Sequence, residues 1–324
     1  MRFDSVEEVP DLWKETYDLV AQVPRGRVTT YGEVAKALGD IAASRFVGLA
    51  MSKNSDIVRV PCRRVVRSDG YVGGYTGGGP EKKIRLLMKE GIEIVDSKVM
   101  DLDKVLFTGF RTDYPLRRLR RRQLTLKRLL DLRKHAEPFE KVAGIDVAYA
   151  DEHAYAAMVV FDFETGEEIE RHVIEGDAKF PYVPTYLAFR EIPVIKPLMK
   201  GVDDRTVVMF DGNGTLHPEG FGVTSQIGVV FEVATVGIAK KLLCGEVSGR
   251  LVNHARPVTM KGEVIGHALS RDARTGPVFV SAGNRVSQEQ ARDIALRFLK
   301  HRVPEPTRLA HIAAGAARRA ANSK

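Results

Sequence analysis

The chain has 324 residues, 44% of them hydrophobic and 28% charged, which is material for about two globular domains of ~150 residues each and excludes a low-complexity or fibrous chain. With 50 Lys and Arg against 42 Asp and Glu the formal charge is +8, which suits a polyanionic partner such as nucleic acid and equally a basic, solubilising surface. The two cysteines, Cys62 and Cys244, exclude a disulfide framework and a cysteine-type metal site, and point to a reducing, cytoplasmic compartment.

No run of about 18 apolar residues occurs, so no membrane span is expected. The start, Met1-Arg2-Phe3-Asp4, lacks the apolar core of a signal peptide. Residues 11 to 22 have helical spacing, stopped by Pro24-Arg25-Gly26. Thr29 to Gly39 reads as a second helix with a Thr cap and a Gly stop, and Ala42 to Met51 as a third, rich in small residues. Two short helices joined by a tight turn resemble a helix-turn-helix. Beyond the apolar Val58 to Val60 stands Cys62, followed by Arg63 and Arg64. Positive neighbours increase the thiolate fraction of a cysteine, the nucleophilic form, although a buried structural cysteine has the same sequence context.

Residues 8 to 95 resemble the C-terminal domain of the O6-alkylguanine-DNA alkyltransferases, through Tyr31-Gly32, Ser44-Arg45, Asn54, Pro61-Cys62, Gly73-Gly74-Tyr75 and Glu90-Gly91. The resemblance implies a small helix-turn-helix, winged-helix-like domain in which Cys62 takes an alkyl group from a flipped guanine without a cofactor. It further implies that Arg45 fills the gap left by the base, that Tyr31 helps rotate the nucleotide, and that Asn54 and Tyr75 support the site. Flipping is needed because the reacting atom is hidden inside the duplex. That family normally has His after the Cys, and here Arg63 stands there. An Arg stays protonated and cannot act as a base, though it could hold a thiolate electrostatically.

Asp96 to Tyr114 shows no clear period, and the domain boundary is set at residues 104/105. Leu116, Leu119, Leu126, Leu129 and Leu130 then share one helical face with Arg and Lys on the others, which suits phosphate contact or a solvated face equally. Lys141 to Tyr149 reads as a strand carrying Asp146, with a hairpin partner at Ala154 to Phe161 and a third strand near Glu167 to Ile174. A helix from Leu187 toward Leu198 holds Arg190-Glu191, and the strand Thr206 to Phe210 delivers Asp211. Further strands are expected at Val229 to Phe231, Thr235 to Ile238 and Val278 to Val280, and a helix over Gln288 to Lys300. The pattern is α/β. Asp146, Glu191 and Asp211 come from separate elements, as acids that converge on Mg²⁺ do.

Residues 110 to 315 resemble endonuclease V, through Gly144-Ile145-Asp146-Val147, Pro181-Tyr182-Val183-Pro184, Phe189-Arg190-Glu191, Asp211-Gly212-Asn213-Gly214, His217-Pro218, Gly237 to Lys241 and Pro304 to Arg308. The resemblance implies a ribonuclease H-like domain that nicks the second phosphodiester 3′ of deoxyinosine. Asp146 and Asp211 would bind Mg²⁺ (or Mn²⁺), with Glu191 and His311 close to it and Lys240 at the scissile phosphate. Pro181 to Pro184 would separate the strands, with Tyr182 stacking where the lesion left, Gly212 and Gly214 presenting backbone to it and His217 in support. Thr185 stands where this family commonly has Gly, Gln226 where a His is frequent, and Asn284 where a Gly-His pair is usual.

Together these resemblances imply a monomeric, α/β DNA-repair protein, with an alkyltransferase domain at residues 1–104 and a nuclease domain at 105–324, acting on double-stranded DNA with alkylated guanine or deaminated adenine. Two alternatives stay open at this point: a first half that binds damage without reacting, and inosine in RNA as the nuclease substrate.

Overall fold

The computed structural model describes residues 9–271 and 276–322. It divides into two compact units: the first runs to Arg122 and also takes in Phe180–Tyr186, and the second holds Gln123–Lys179 and continues from Leu187.

The first unit opens with α1 (Leu12–Ala21), capped by the Asp11 side chain. β1 (Thr29–Thr30) leads into α2 (Tyr31–Leu38), where the Thr30 hydroxyl accepts from the Glu33 N–H and Gly39 ends the helix at φ 111°. After a turn of 3₁₀ helix comes α3 (Ser44–Lys53). Cys62–Arg64 form another 3₁₀ turn, and β2 (Val65–Val66) pairs in parallel with β1. α4 (Gly79–Lys89), the β3–β4 hairpin (Ile94–Val95, Lys98–Val99) and α5 (Leu102–Val105) follow, filling with order a stretch that has no sequence period.

α6 (Pro115–Lys127) begins on proline, which needs no N–H partner there. It is shorter than the leucine pattern predicts. Leu129 and Leu130 lie beyond it, and Arg133 donates instead to the Asp131 carboxylate at 2.9 and 2.6 Å.

The second unit is built on a nine-stranded sheet in the order β10-β11-β12-β13-β9-β8-β5-β6-β7. Its strands are β5 (Lys141–Ala150), β6 (His153–Asp162), β7 (Glu168–Asp177), β8 (Thr206–Asp211), β9 (Ala234–Ala239), β10 (Glu246–Val247), β11 (Ala255–Met260), β12 (Glu263–Leu269) and β13 (Val278–Asn284). The central β5, β8 and β9 are parallel and the flanking strands antiparallel. α7 (Leu187–Ile195) and α8 (Val223–Phe231) pack on one face, and α9 (Gln288–Arg297) and α10 (Glu305–Asn322) on the other.

The run Val229-Val230-Phe231, expected as a strand, is the last turn of α8. That helix is buried on nearly every side, so its short apolar run has no polar face to reveal the helical period.

Candidate active sites

In the second unit β5 and β8 are in register through Ile145 opposite Phe210. The next residue on each is acidic, so Asp146 and Asp211 emerge side by side at the carboxyl ends of parallel strands, where such sheets meet ligands. Alternation sends Val142 into the core beneath α9 and α10, and Ile145 into the core beneath α7. Asp146 shares the α10 side, and His311 of α10 places Nδ1 2.8 Å from its Oδ2. Gly144 is required for this approach: a Cβ there would stand 2.1 Å from the Pro306 carbonyl carbon, so no larger residue fits where α10 crosses β5. Lys240, just past β9, donates to Asp211 Oδ2 at 2.7 Å. One ligand atom each from Asp146, Asp211 and His311 lie within 4.8 Å of one another.

Glu191 reaches the same region from α7 and is buried. Its Oε1 accepts from the Tyr149 hydroxyl at 3.3 Å, while Oε2 is buried without a partner. Burial first, and then the charge of Asp146, push the Glu191 carboxyl up to about 8. Asp146 is raised by burial and by the charge of Asp211, against the pull of His311. Carboxylates that raise one another's proton affinity need a proton or a cation between them. An unpaired buried carboxylate oxygen carries the same implication, since leaving it so costs about 1–3 kcal/mol or more. Oxygen donors with one imidazole fit a divalent cation such as Mg²⁺ or Mn²⁺.

The loop after Asp211 is pressed into the sheet. A Cβ on Gly214 would meet the Ala282 carbonyl oxygen at 2.1 Å, and one on Gly237 would meet Gly214 N at 2.4 Å. The Gly212 N–H donates to Ile238 O at 2.8 Å and the Gly214 N–H to Ser281 Oγ at 3.0 Å, so both serve the loop itself. Asn213 between them keeps a buried Oδ1 with no partner. His217 Nδ1 accepts from the Glu219 N–H at 3.2 Å.

In the first unit Cys62 is buried at the floor of a cavity of about 330 Å³, with Tyr31, Met51, Ser52, Gly74 and Tyr75 in its walls. Asn54 is buried and braces the approach to Cys62, donating to Val60 O at 3.0 Å and accepting from the Asp56 N–H at 3.1 Å. Arg45 is exposed on α3. Arg63 turns to Glu90, donating from Nε to Oε1 at 2.8 Å, and Arg64 holds the other oxygen at 2.7 Å. Burial alone would raise Glu90; the hydrogen bonds from Arg64 and Arg63 bring it below the usual carboxylate range.

Two residues not singled out from the sequence complete these sites. Lys83 sits four residues before Leu87 on the buried side of α4, a spacing that offered a signal. Its ammonium donates to the carbonyls of Val65, Val72 and Gly74 at 2.6, 2.6 and 3.2 Å, and burial pulls it down to about 8, against the charge of Cys62. The other is Tyr149, whose three-residue spacing from Asp146 gives no sign of chemistry, because it lies on the opposite face of β5.

Tyr182 is 63% exposed in the segment Phe180–Tyr186, which packs with the first unit. There Tyr186 is buried and donates to Asp40 Oδ2 at 2.8 Å.

A family model of endonuclease V matches residues 124–312, more than half of the chain. A second model, of the 6-O-methylguanine DNA methyltransferase DNA-binding domain, matches residues 11–92. A bifunctional methyltransferase/endonuclease of Picrophilus torridus is 37% identical over 303 residues, 93% of this chain and 95% of that protein. The chain belongs to the bifunctional methyltransferase/endonucleases.

Within this family assignment, the second unit has the ribonuclease H-like α/β fold of endonuclease V. Endonuclease V of Streptomyces avermitilis is 32% identical with a TM-score of 0.59, covering 64% of this chain and 94% of that one. The Ciona intestinalis enzyme, solved with a 24mer DNA containing an inosine followed by a ribo-adenosine, is 26% identical with a TM-score of 0.56, covering 64% and 99%. No helix among the described residues is long and apolar enough to cross a membrane.

Gln226, Asn284 and Thr185, set apart in the sequence, have the following surroundings. Gln226 is buried and accepts from Gln123 Nε2 at 3.1 Å, and Asn284 donates to the carbonyls of Gly228 and Val233 at 3.0 and 3.1 Å. In both, an amide satisfies buried backbone or side-chain groups. Thr185 has φ 77°, so a β-branched residue stands in left-handed backbone where glycine is free of strain.

Proposed function

We propose that the second unit is a divalent-cation-dependent endonuclease acting at deoxyinosine, nicking the second phosphodiester on its 3′ side. The carrying observation is the convergence of Asp146, Asp211 and His311, with Lys240 beside them, at the ends of two adjacent parallel strands. Asp146, Asp211, Glu191 and His311 would hold Mg²⁺ or Mn²⁺, which when bound stabilises charge on the phosphate and makes a water acidic enough to act as nucleophile. Lys240, ion-paired with Asp211, offers the phosphate a point charge at the place where negative charge grows. Tyr182 presents an exposed ring for stacking where the lesion leaves the duplex. Gly212 and Gly214 shape the lesion loop rather than offering it free N–H groups, and His217 braces its far end.

For the first unit we propose alkyl transfer from O6-alkylguanine to Cys62. The Cys62 thiol gives up its proton and its sulfur forms the new S–C bond as the C–O6 bond breaks, while the departing guanine takes a proton, so none is gained or lost overall. Tyr31 and Tyr75 line the same cavity, and burial, then the charge of Cys62, raise both phenols, so they keep protons to donate. Asn54 fixes the wall and Arg45 stands on the exposed face of α3 to occupy the vacated stack. One observation favours a second reading, damage binding without transfer: the residue after Cys62 is Arg63, which cannot act as a base and is turned to Glu90.

Two measurements test this. The full chain is mixed with inosine-containing duplex, with and without Mg²⁺, beside a matched RNA; cation-dependent nicking of the DNA is expected, and preference for the RNA would overturn the DNA assignment. The Cys62 peptide is weighed after incubation with O6-methylguanine DNA; a gain of one methyl group is expected, and an unchanged mass would leave the damage-binding reading standing.

A further inference from the structure

The cation reading leaves one contact unexplained. Glu191 is buried on α7, one carboxylate oxygen accepting from Tyr149 and the other left without a partner. Tyr149 is itself held: the Arg190 guanidinium lies over its ring, 4.2 Å from the centroid, and Arg190 donates onward to the Asp151 carbonyl at 3.2 Å. A guanidinium over an aromatic face is attracted to the ring and favours one orientation of it.

Tyr149 and Asp146 share β5 but project to opposite faces. One strand therefore supplies a candidate ligand directly from one face and the support for a second ligand from the other.

We propose that Tyr149 is a positioning residue for the divalent-cation site: by holding Glu191 Oε1 it directs Oε2 toward the cation, and the Arg190 stack holds Tyr149 in turn. This rests on the reading of Asp146, Asp211, His311 and Glu191 as a cation site. Groups that orient a ligand through its second donor atom typically change metal affinity by about 10–100-fold when removed.

The test uses the full chain and Mn²⁺ alone, with binding read from the electron paramagnetic resonance signal of the free ion. Tyr149→Phe keeps the ring beneath Arg190 and deletes only the hydroxyl. It is expected to weaken Mn²⁺ binding about 10–100-fold with an unchanged circular dichroism spectrum. Adding Tyr149→Phe to Glu191→Gln should weaken binding no further, because the hydroxyl acts only through that carboxylate. Additive losses in the double variant would overturn the inference, as would wild-type affinity in Tyr149→Phe. If the wild-type chain binds no Mn²⁺, the cation site itself falls and the role of Tyr149 falls with it, a result distinct from binding that the variant leaves intact.

Discussion

The two units treat buried charge in opposite ways. Around Cys62 the buried ions are hydrogen-bonded: Glu90 accepts from two arginines, and the Lys83 ammonium places its three donors on three carbonyls. At the ends of β5 and β8 the charges are left in conflict, with the charge of Asp211 raising Asp146, the charges of Asp146 and Asp211 raising Glu191, and Glu191 Oε2 unpaired. A matched network makes a rigid wall for a substrate that brings its own chemistry. A mismatched one stores a demand that a cation can meet, so the unsatisfied site is the one that points to a ligand.

The strongest test of that contrast is Asp211→Asn. It removes one carboxylate from the conflict and is expected to reduce nicking by on the order of 10²–10³-fold or more, while the mass gain at Cys62 is unaffected. Loss of both activities together would mean that the units do not act independently.

Glu90→Gln breaks the matched side instead. It strands Arg63 and Arg64, whose side chains are only 19% and 13% exposed, and should cost about 3 kcal/mol in stability, seen as an earlier unfolding transition by calorimetry. The same ion pairs give a pH signature. Because the folded state lowers the Glu90 pKa, their contribution is complete above the ordinary glutamate range and lost as pH falls through the depressed value. Wild type and variant should therefore converge in acid, and equal stability at neutral pH would show that the pairs contribute nothing.

The smallest expected effect is on cation affinity. Glu191, pushed up to about 8, holds a proton in the cation-free protein, and binding must release it. Mn²⁺ affinity should therefore fall about tenfold per pH unit below 8 and level off above it. The sign reverses for stability without the cation: a raised carboxyl contributes fully below the ordinary glutamate range and loses that contribution as pH rises through about 8. A flat affinity profile between pH 6 and 9 would place Glu191 outside the cation's reach.

Much of this was legible from residue order. Short apolar runs located β5, β6 and β8, and an acid at the end of a buried strand is a local feature that survives in one dimension. Other features depend on approach. The ring of His311 meets Asp146 only because Gly144 lets α10 come close, a fact held in the distance to Pro306 and not in any spacing. The switch of Arg63 from its sequence neighbour Cys62 to the remote Glu90 is likewise a matter of side-chain direction. Strands β11 and β12 escaped notice because their mixed composition carries little alternation.

The short segment Phe180–Tyr186 gives the molecule a history as well as a shape. It is encoded after β5, β6 and β7 of the second unit, yet it packs with the first, where its Tyr186 meets Asp40. A chain emerging from the ribosome from its amino end at about 5–20 residues per second exposes Asp40 well before the hydroxyl that it accepts from. The first unit is thus begun early and finished late, and a fragment that stops at Arg122 lacks its closing piece.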